Sequence, residues 1–430
     1  MESLETAHVA FCGECDARIP ARSPQAAPGD HPSSFEWARL STGYVGVHCQ
    51  RVERAAQPFD PPVRLLCGPG PSNVDRRVLD AMVRPILGYL DPDFVRVLDE
   101  VVSMLRAIFR RGDGLVLPLS STGTAGMEAG LATLLEPGDT IVVGVAGYFG
   151  ARIAGIARRL GASVVEVTTP LGEAVPVEAL LDAQRANPRA RVLAVVHAET
   201  STGVRQPLEE LGAALAETDT LFVADAVTSL GGVELEHERW GVDYAYSCTQ
   251  KCLGAPPGMS PVALSERGLS RVRERSGSLP FTFDFELLAR YWVERPPAYH
   301  HTPPALLVYA LHEALRLILE EGVEAQWRRH AEAGEAFQAG LAARGLEVLA
   351  AEDVRLPQLT AVHVPEGVDG KKVQRRLLVE HGIEVGGALG PSFPSIWRVG
   401  LMGMNARAET ADRVLGALDA VLGRAPARTA

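Results

Sequence analysis

The stretch Asp243-Tyr244-Ala245-Tyr246-Ser247-Cys248-Thr249-Gln250-Lys251-Cys252 decides how this chain is read. Its first half has the look of a short strand, and its second half leaves that strand with a lysine. Upstream, the apolar run 221–224 ends on Asp225. An amine and a carboxylate therefore depart from the ends of two strand-like runs. Either residue alone has a plainer explanation, because exposed lysines are common and an Asp after a strand often caps a helix.

Working outward, apolar runs at 115–119, 140–145, 164–167 and 192–197 alternate with helical patterns such as 125–135 and 208–216. Strand and helix in alternation imply right-handed crossovers and a mostly parallel sheet with helices on both faces. Ligands of such α/β sheets sit at the carboxyl ends of the strands, and Asp225 lies at one. Beyond residue 300 the texture changes. Helical periodicity over 305–321 and 324–344 gives way to short strands at 360–364, 383–385 and 396–399, and then to an amphipathic helix at 409–422. Pro303-Pro304 marks the change. Residues 1–60, rich in Pro, Ala, Arg and Ser, read as an extension, 61–300 as the large α/β domain, and 301–430 as a smaller α+β domain.

With 430 residues, 47% hydrophobic and 22% charged, the chain is long enough for two cores. A net charge of −11 without a basic run excludes a nucleic-acid surface and favours a small-molecule partner. No apolar stretch of about 18 residues spans a membrane, and Met1-Glu2-Ser3-Leu4-Glu5 lacks the basic start of a secretion signal, so a cytoplasmic protein is expected. Six cysteines are too few for a disulfide framework. Cys12-Gly13-Glu14-Cys15 has the spacing of a zinc knuckle, and His48-Cys49 offers further ligands, but no second spaced pair follows. The expectation is no metal, with Cys67, Cys248 and Cys252 packing as small apolar groups.

A lysine and an acid brought from two strand ends can hold pyridoxal phosphate, the amine binding its aldehyde and the acid facing its ring nitrogen. Ser121-Thr122-Gly123-Thr124, between a strand and a helix, offers free N–H groups and a helix dipole to an anion, although the same composition is common in plain helix caps.

Seven motifs occur in an order that resembles the class V aminotransferases of the type I pyridoxal-phosphate fold, especially the alanine/serine–glyoxylate enzymes. They are Gly68-Pro69-Gly70-Pro71-Ser72-Asn73, Glu136-Pro137-Gly138-Asp139, Glu199-Thr200-Ser201-Thr202-Gly203, Asp225 through Gly232, Gln250-Lys251, Tyr299-His300-His301-Thr302 and Leu389-Gly390-Pro391-Ser392. The resemblance implies that Lys251 is the Schiff-base lysine and proton carrier and that Asp225 partners the pyridine nitrogen. It places the phosphate on Thr122, Gly123, Thr124 and Gln250, with Tyr299 and Thr302 arriving from a neighbouring subunit of a homodimer with shared active sites. Phe149, or by a shift of one residue Tyr148, stacks on the ring, and Thr200 and Val227 touch it. Arg398 grips the substrate carboxylate, and Asn73 and Ser72 help to enclose a small substrate. The implied reaction is ping-pong transfer of an amino group from alanine or serine to glyoxylate or pyruvate.

The run Pro85-Ile86-Leu87-Gly88-Tyr89-Leu90-Asp91-Pro92 also resembles ureidoglycine–glyoxylate aminotransferases. Those carry amides where this chain has Tyr89 and Phe281, so ureidoglycine is the alternative donor, beside an amino acid from a specialised pathway. Tyr89 reshapes the pocket. A cysteine-dependent lyase reaction is disfavoured because no Cys follows Cys252, and a non-catalytic binding protein is disfavoured because the cofactor residues are present. His300 and His301 are read as orienting the subunit interface, and His197 as a hydrogen-bonded core residue.

Overall fold

Every residue of Leu115–Leu119 is buried, as a continuous apolar run must be when a strand is covered on both faces. The computed structural model describes residues 58–423. The zinc candidates Cys12, Cys15, His48 and Cys49 lie outside them, as does nearly all of the anticipated extension.

Seven strands form the main sheet, in the spatial order Leu115–Leu119, Ser260–Leu264, Tyr244–Tyr246, Leu221–Asp225, Ala190–Val196, Thr140–Val145 and Ser163–Thr168. All pairings are parallel except those of Ser260–Leu264, which runs against both neighbours. The sequence reading did not include that strand, whose run contains Pro261. Crossover helices Gly123–Leu134, Tyr148–Arg159, Val177–Ala186 and Glu209–Leu215 follow the parallel strands. The mostly parallel α/β sheet expected from alternation is thus present.

Differences from the expected bounds have local causes. The helix expected over 125–135 begins at Gly123, because the Thr122 side chain accepts the Ala125 N–H at 3.3 Å and caps it. Asp225 lies inside its strand and pairs in register with Tyr246. Val196 ends its strand, and His197 stands beyond it, buried, with its ring edge-on to Trp240. Burial holds the His197 imidazole down at about 3, and its Nδ1 has no partner among the described residues. The hydrogen-bonded core role expected for it is therefore only half met: it is a core residue, and its backbone N–H, rather than its ring, bonds Asp225.

Two apolar interiors flank the chain's second half. One packs the seven-stranded sheet against helices including Pro92–Phe109 and Ala305–Glu321, whose Val308, Leu311, Leu315 and Ile318 point into it. The other gathers Phe337, Leu341, Trp397, Val399, Val414 and Leu418 around a three-stranded antiparallel sheet of Leu359–His363, Ile396–Gly400 and Gly386–Gly387. Helix Val323–Ala342 bridges them, with Val323 in the first interior and Phe337 in the second. Leu65–Leu66 reaches across the sequence to pair with Ile383–Glu384, which carries the following Gly-Pro segment between the two interiors.

Close seating of Gly123–Leu134 on the sheet positions the site. Gly126 and Gly130 lie one turn apart on one face of this helix; a Cβ on Gly130 would overlap the Tyr244 ring, whose hydroxyl donates to the Gly126 carbonyl at 2.7 Å. Gly130→Ala gains helix propensity but overpacks this contact, at a net cost of about 1–3 kcal/mol. A lowered thermal midpoint with the same far-ultraviolet spectrum is the expected result.

Candidate active site

The carboxyl ends of the parallel strands surround a cavity of about 190 Å³ lined by Thr122, Gly123, Thr124, Phe149, Arg152, Thr200, Asp225, Val227, Gln250 and Lys251, among others. Its lining comes from segments scattered from 122 to 251, which parallel strands deliver to one edge of the sheet.

Asp225 is buried. Its Oδ1 accepts the Val227 N–H and its Oδ2 the Tyr246 O–H, both at 2.8 Å. Burial pushes its carboxyl up to about 7 against those two bonds, with nearby Glu199 adding to the rise and Lys251 opposing it. Lys251 enters the cavity from the loop after Tyr244–Tyr246, and its Nζ donates to the Pro69 carbonyl. Burial lowers its pKa, and the Arg398 charge adds to that. The Gly-Pro-Gly-Pro-Ser segment braces this lysine: the Ser72 hydroxyl donates to the Lys251 carbonyl at 2.8 Å, and the Ser72 N–H to the Gln250 carbonyl at 2.9 Å. Gly70, at φ +107°, leaves the room that a Cβ would take from the Lys251 side chain.

Glu199 organises the opposite wall. Its Oε2 accepts the N–H groups of Phe149 and Gly150 at 3.0 and 3.2 Å, and its Oε1 accepts the Ser201 N–H and O–H at 3.0 and 2.5 Å. This buried carboxylate caps the helix Tyr148–Arg159 and aims Phe149 into the cavity, while burial raises its pKa. Tyr148 is 39% exposed and does not line the cavity, whereas Phe149 does.

Arg398, on Ile396–Gly400, is buried at the rim. Its Nε donates to the Gly387 carbonyl at 2.7 Å and its Nη1 to that of Thr200 at 3.3 Å. Its Nη2 has no partner among the described residues, and burial lowers its pKa to about 10.

The family description "Aminotransferase class-V" matches residues 115–404. The chain belongs to the class V aminotransferases. A Bacillus subtilis (S)-ureidoglycine–glyoxylate transaminase is 38% identical over 381 residues, covering 84% of this chain and 91% of the relative. A Drosophila melanogaster alanine–glyoxylate aminotransferase is 38% identical over 368 residues, covering 84% and 93%. A crystal structure of alanine–glyoxylate aminotransferase from Nostoc sp. superposes with a TM-score of 0.84 at 47% identity, covering 86% of this chain and 98% of that one. This class V member is a pyridoxal-phosphate-dependent transaminase of fold type I.

The cavity fits that cofactor. Asp225 is a buried acid whose hydrogen-bond donors are neutral, a setting that suits a positively charged ring N–H. Gln250 lines the same space, and its Oε1 is buried without a partner among the described residues. At Gly123 a Cβ would approach Cys248 Cβ to 3.0 Å and Val227 Cγ2 to 3.3 Å, so only glycine lets the helix start lie this close to the cavity floor.

Four site candidates stand elsewhere. Asn73 spends its amide on structure, accepting from Leu66 N–H and Asn405 Nδ2 at 2.8 Å each and donating to the Arg64 carbonyl at 2.9 Å. Enclosing a substrate is therefore not what Asn73 does here, and Ser72 braces the lysine instead. Tyr89 packs against Tyr299 with ring centroids 4.8 Å apart and ring planes tilted by 40°, outside the cavity of its own chain. Tyr299 and Thr302, 3.3 Å apart through their hydroxyls, are exposed beside it. His300 and His301 hold this segment: His301 Nε2 lies 2.7 Å from Ser120 Oγ and His300 Nε2 3.0 Å from the Phe281 carbonyl. Glu199, Tyr246, Pro69 and Arg152 received no role from the sequence. The first and third lie within quoted motifs, and Tyr246 faces Asp225 only through strand register.

Asp225 carries a pH signature. Its folded pKa, about 7, exceeds its ordinary 3.8, so the folded chain without cofactor binds the extra proton between these values. Its contribution falls as pH rises through that window. Asp225→Asn removes the dependence, so the thermal midpoint of the cofactor-free variant minus that of wild type should climb from pH 4 to pH 7. A difference constant with pH would contradict the assignment.

Proposed function

We propose that this transaminase moves an amino group from a small amino acid, alanine or serine, to glyoxylate or pyruvate, with Lys251 as the residue that joins the cofactor and Asp225 as the partner of its ring nitrogen. The single observation that carries the reading is that both residues line one cavity, between the helix start at Thr122–Thr124 and the Phe149 ring. Both the ureidoglycine and the alanine–glyoxylate relatives make glyoxylate the favoured acceptor. Tyr89 and Phe281, phenyl groups in place of amides, favour alanine or serine over ureidoglycine as donor.

Bound pyridoxal phosphate supplies an aldehyde that takes up nitrogen and a ring that withdraws electrons from the carbon beside it. The chain does the rest. Asp225, ionised against a ring N–H, keeps that nitrogen protonated. Lys251 Nζ, its pKa lowered by burial, is more often unprotonated than an exposed lysine, so it can accept the proton from the substrate Cα. Arg398 directs its free Nη2 edge at the substrate carboxylate and fixes the Cα–H bond for cleavage. Thr122, Gly123, Thr124 and Gln250 hold the phosphate, Phe149 covers the ring, and Thr200 and Val227 contact it. The same amine and guanidinium serve the amino-acid and oxo-acid halves, which gives ping-pong kinetics.

The active form is proposed to be a homodimer in which Tyr299 and Thr302 complete the partner's phosphate site. What supports this is their exposure, 56% for Tyr299, beside Phe281 at 64% and Ile86 at 69%. The division into a cofactor-binding domain, 61–300, and a smaller domain, 301–430, is proposed on the two interiors, although helix Ala305–Glu321 packs into the first and Cys67 into the second. No helix among the described residues is long and apolar enough to cross a membrane. A cytoplasmic location is proposed on the unpaired, buried Cys67, Cys248 and Cys252.

Mixing the loaded enzyme with single amino acids and following conversion of bound pyridoxal absorbance to the pyridoxamine form tests the donor. Alanine or serine should convert it fastest; conversion by ureidoglycine alone reverses the ranking. Lys251→Ala, folded as judged by circular dichroism, should lose multiple turnover altogether, and retained turnover would reject the role.

A further inference from the structure

We infer that Arg152 is a phosphate-binding residue for the cofactor, supplying the positive charge that the other groups of the cup lack. The inference rests on the placement of the phosphate at Thr122–Thr124 proposed above. The residues assigned to that anion from the same chain are hydroxyls, backbone N–H groups and the Gln250 amide. All are uncharged. A helix start contributes a partial positive charge, yet a phosphate ester carries close to two negative charges, and charge-assisted bonds to it are about twice as strong as neutral ones.

Arg152 stands where that charge is needed. It follows Phe149 by one turn on the helix Tyr148–Arg159 and so shares its face. Its side chain lines the cavity. Nη1 donates to Thr124 Oγ1 at 3.2 Å. A hydroxyl that accepts from a guanidinium keeps its own proton to donate, so Thr124 becomes a stronger donor toward an anion in the cup. The guanidinium also lies 5.0 Å from the centroids of both Tyr148 and Phe149. Those rings fix its plane without neutralising it.

Among the described residues, no carboxylate pairs with Arg152, and its contacts are the Thr124 hydroxyl and the two rings. Arg271, also near the first interior, has both Glu136 and Asp139 as partners. An arginine held by aromatic faces at the mouth of a cavity, with donors to spare, suits a planar fork onto phosphate oxygens.

Cofactor-free wild type, Arg152→Gln and Arg152→Lys can be titrated with pyridoxal 5′-phosphate and, separately, with pyridoxal, reading tryptophan fluorescence. Arg152→Gln should weaken the phosphate form about 10- to 100-fold, as expected for loss of hydrogen bonds to a charged group, and leave pyridoxal affinity unchanged. Arg152→Lys, which keeps the charge without the fork, should fall between and serves if the Gln variant fails to fold. Equal loss for both ligands would make Arg152 a support for the Phe149 ring only, and no loss would give it no role; either overturns the inference while leaving the cup intact. A wild-type chain that binds both ligands alike would instead remove the phosphate cup and this inference with it.

Discussion

Burial of the Asp225 carboxylate is the constraint from which the site follows. Its two hydrogen-bond donors, the Val227 N–H and the Tyr246 O–H, are neutral, and a second buried acid, Glu199, stands near enough to raise its pKa. Two acids withdrawn from water cost several kcal/mol unless a cation offsets them. Lys251 opposes the rise only in part and is itself pushed toward its neutral form. The chain alone therefore holds an acid and an amine whose charged forms are both disfavoured. A ligand with a ring N–H for the acid and an aldehyde for the amine relieves both, so binding adds directly to the stability of the folded state.

Geometry makes this arrangement possible through register rather than proximity in sequence. Asp225 and Tyr246 are paired across adjacent parallel strands, which sets the phenol beside the carboxylate. Glu199, on the short strand Ala198–Glu199 that follows Ala190–Val196, ties down the start of the helix Tyr148–Arg159 and thereby orients Phe149. One buried acid thus lines the cavity, and the other stands behind its wall but determines where the Phe149 ring lies.

Much of the fold was legible because buried parallel strands leave unbroken apolar runs: 115–119 and 140–145 coincide with strands Leu115–Leu119 and Thr140–Val145. Ser260–Leu264 was not read as a strand, since it carries a proline and follows a Pro- and Gly-rich turn. Of the site, the residues inside motifs were visible by type, whereas Tyr246 and Arg152 act through register and helix phase that no local pattern announces. Asn73 misled for the opposite reason. An asparagine in a Gly-Pro segment looks like a ligand, but its amide oxygen accepts from Leu66 and Asn405 and its nitrogen donates to Arg64, and such commitments are a property of the folded chain alone.

A histidine relay joins the chain's own cup to the segment proposed to complete its partner's. His300 Nε2 faces the Phe281 carbonyl, so it must carry a hydrogen. Beyond it, His300 Nδ1 lies 2.7 Å from His301 Nδ1, and His301 Nε2 lies 2.7 Å from the Ser120 hydroxyl oxygen. Each contact is at hydrogen-bonding distance, and burial first, then neighbouring His300, hold the His301 pKa down. Ser120 directly precedes the Ser121–Thr124 turn, and His301 directly precedes Thr302. The segment that carries Tyr299 and Thr302 is thereby fastened to the strand end that leads into the Ser121–Thr124 turn.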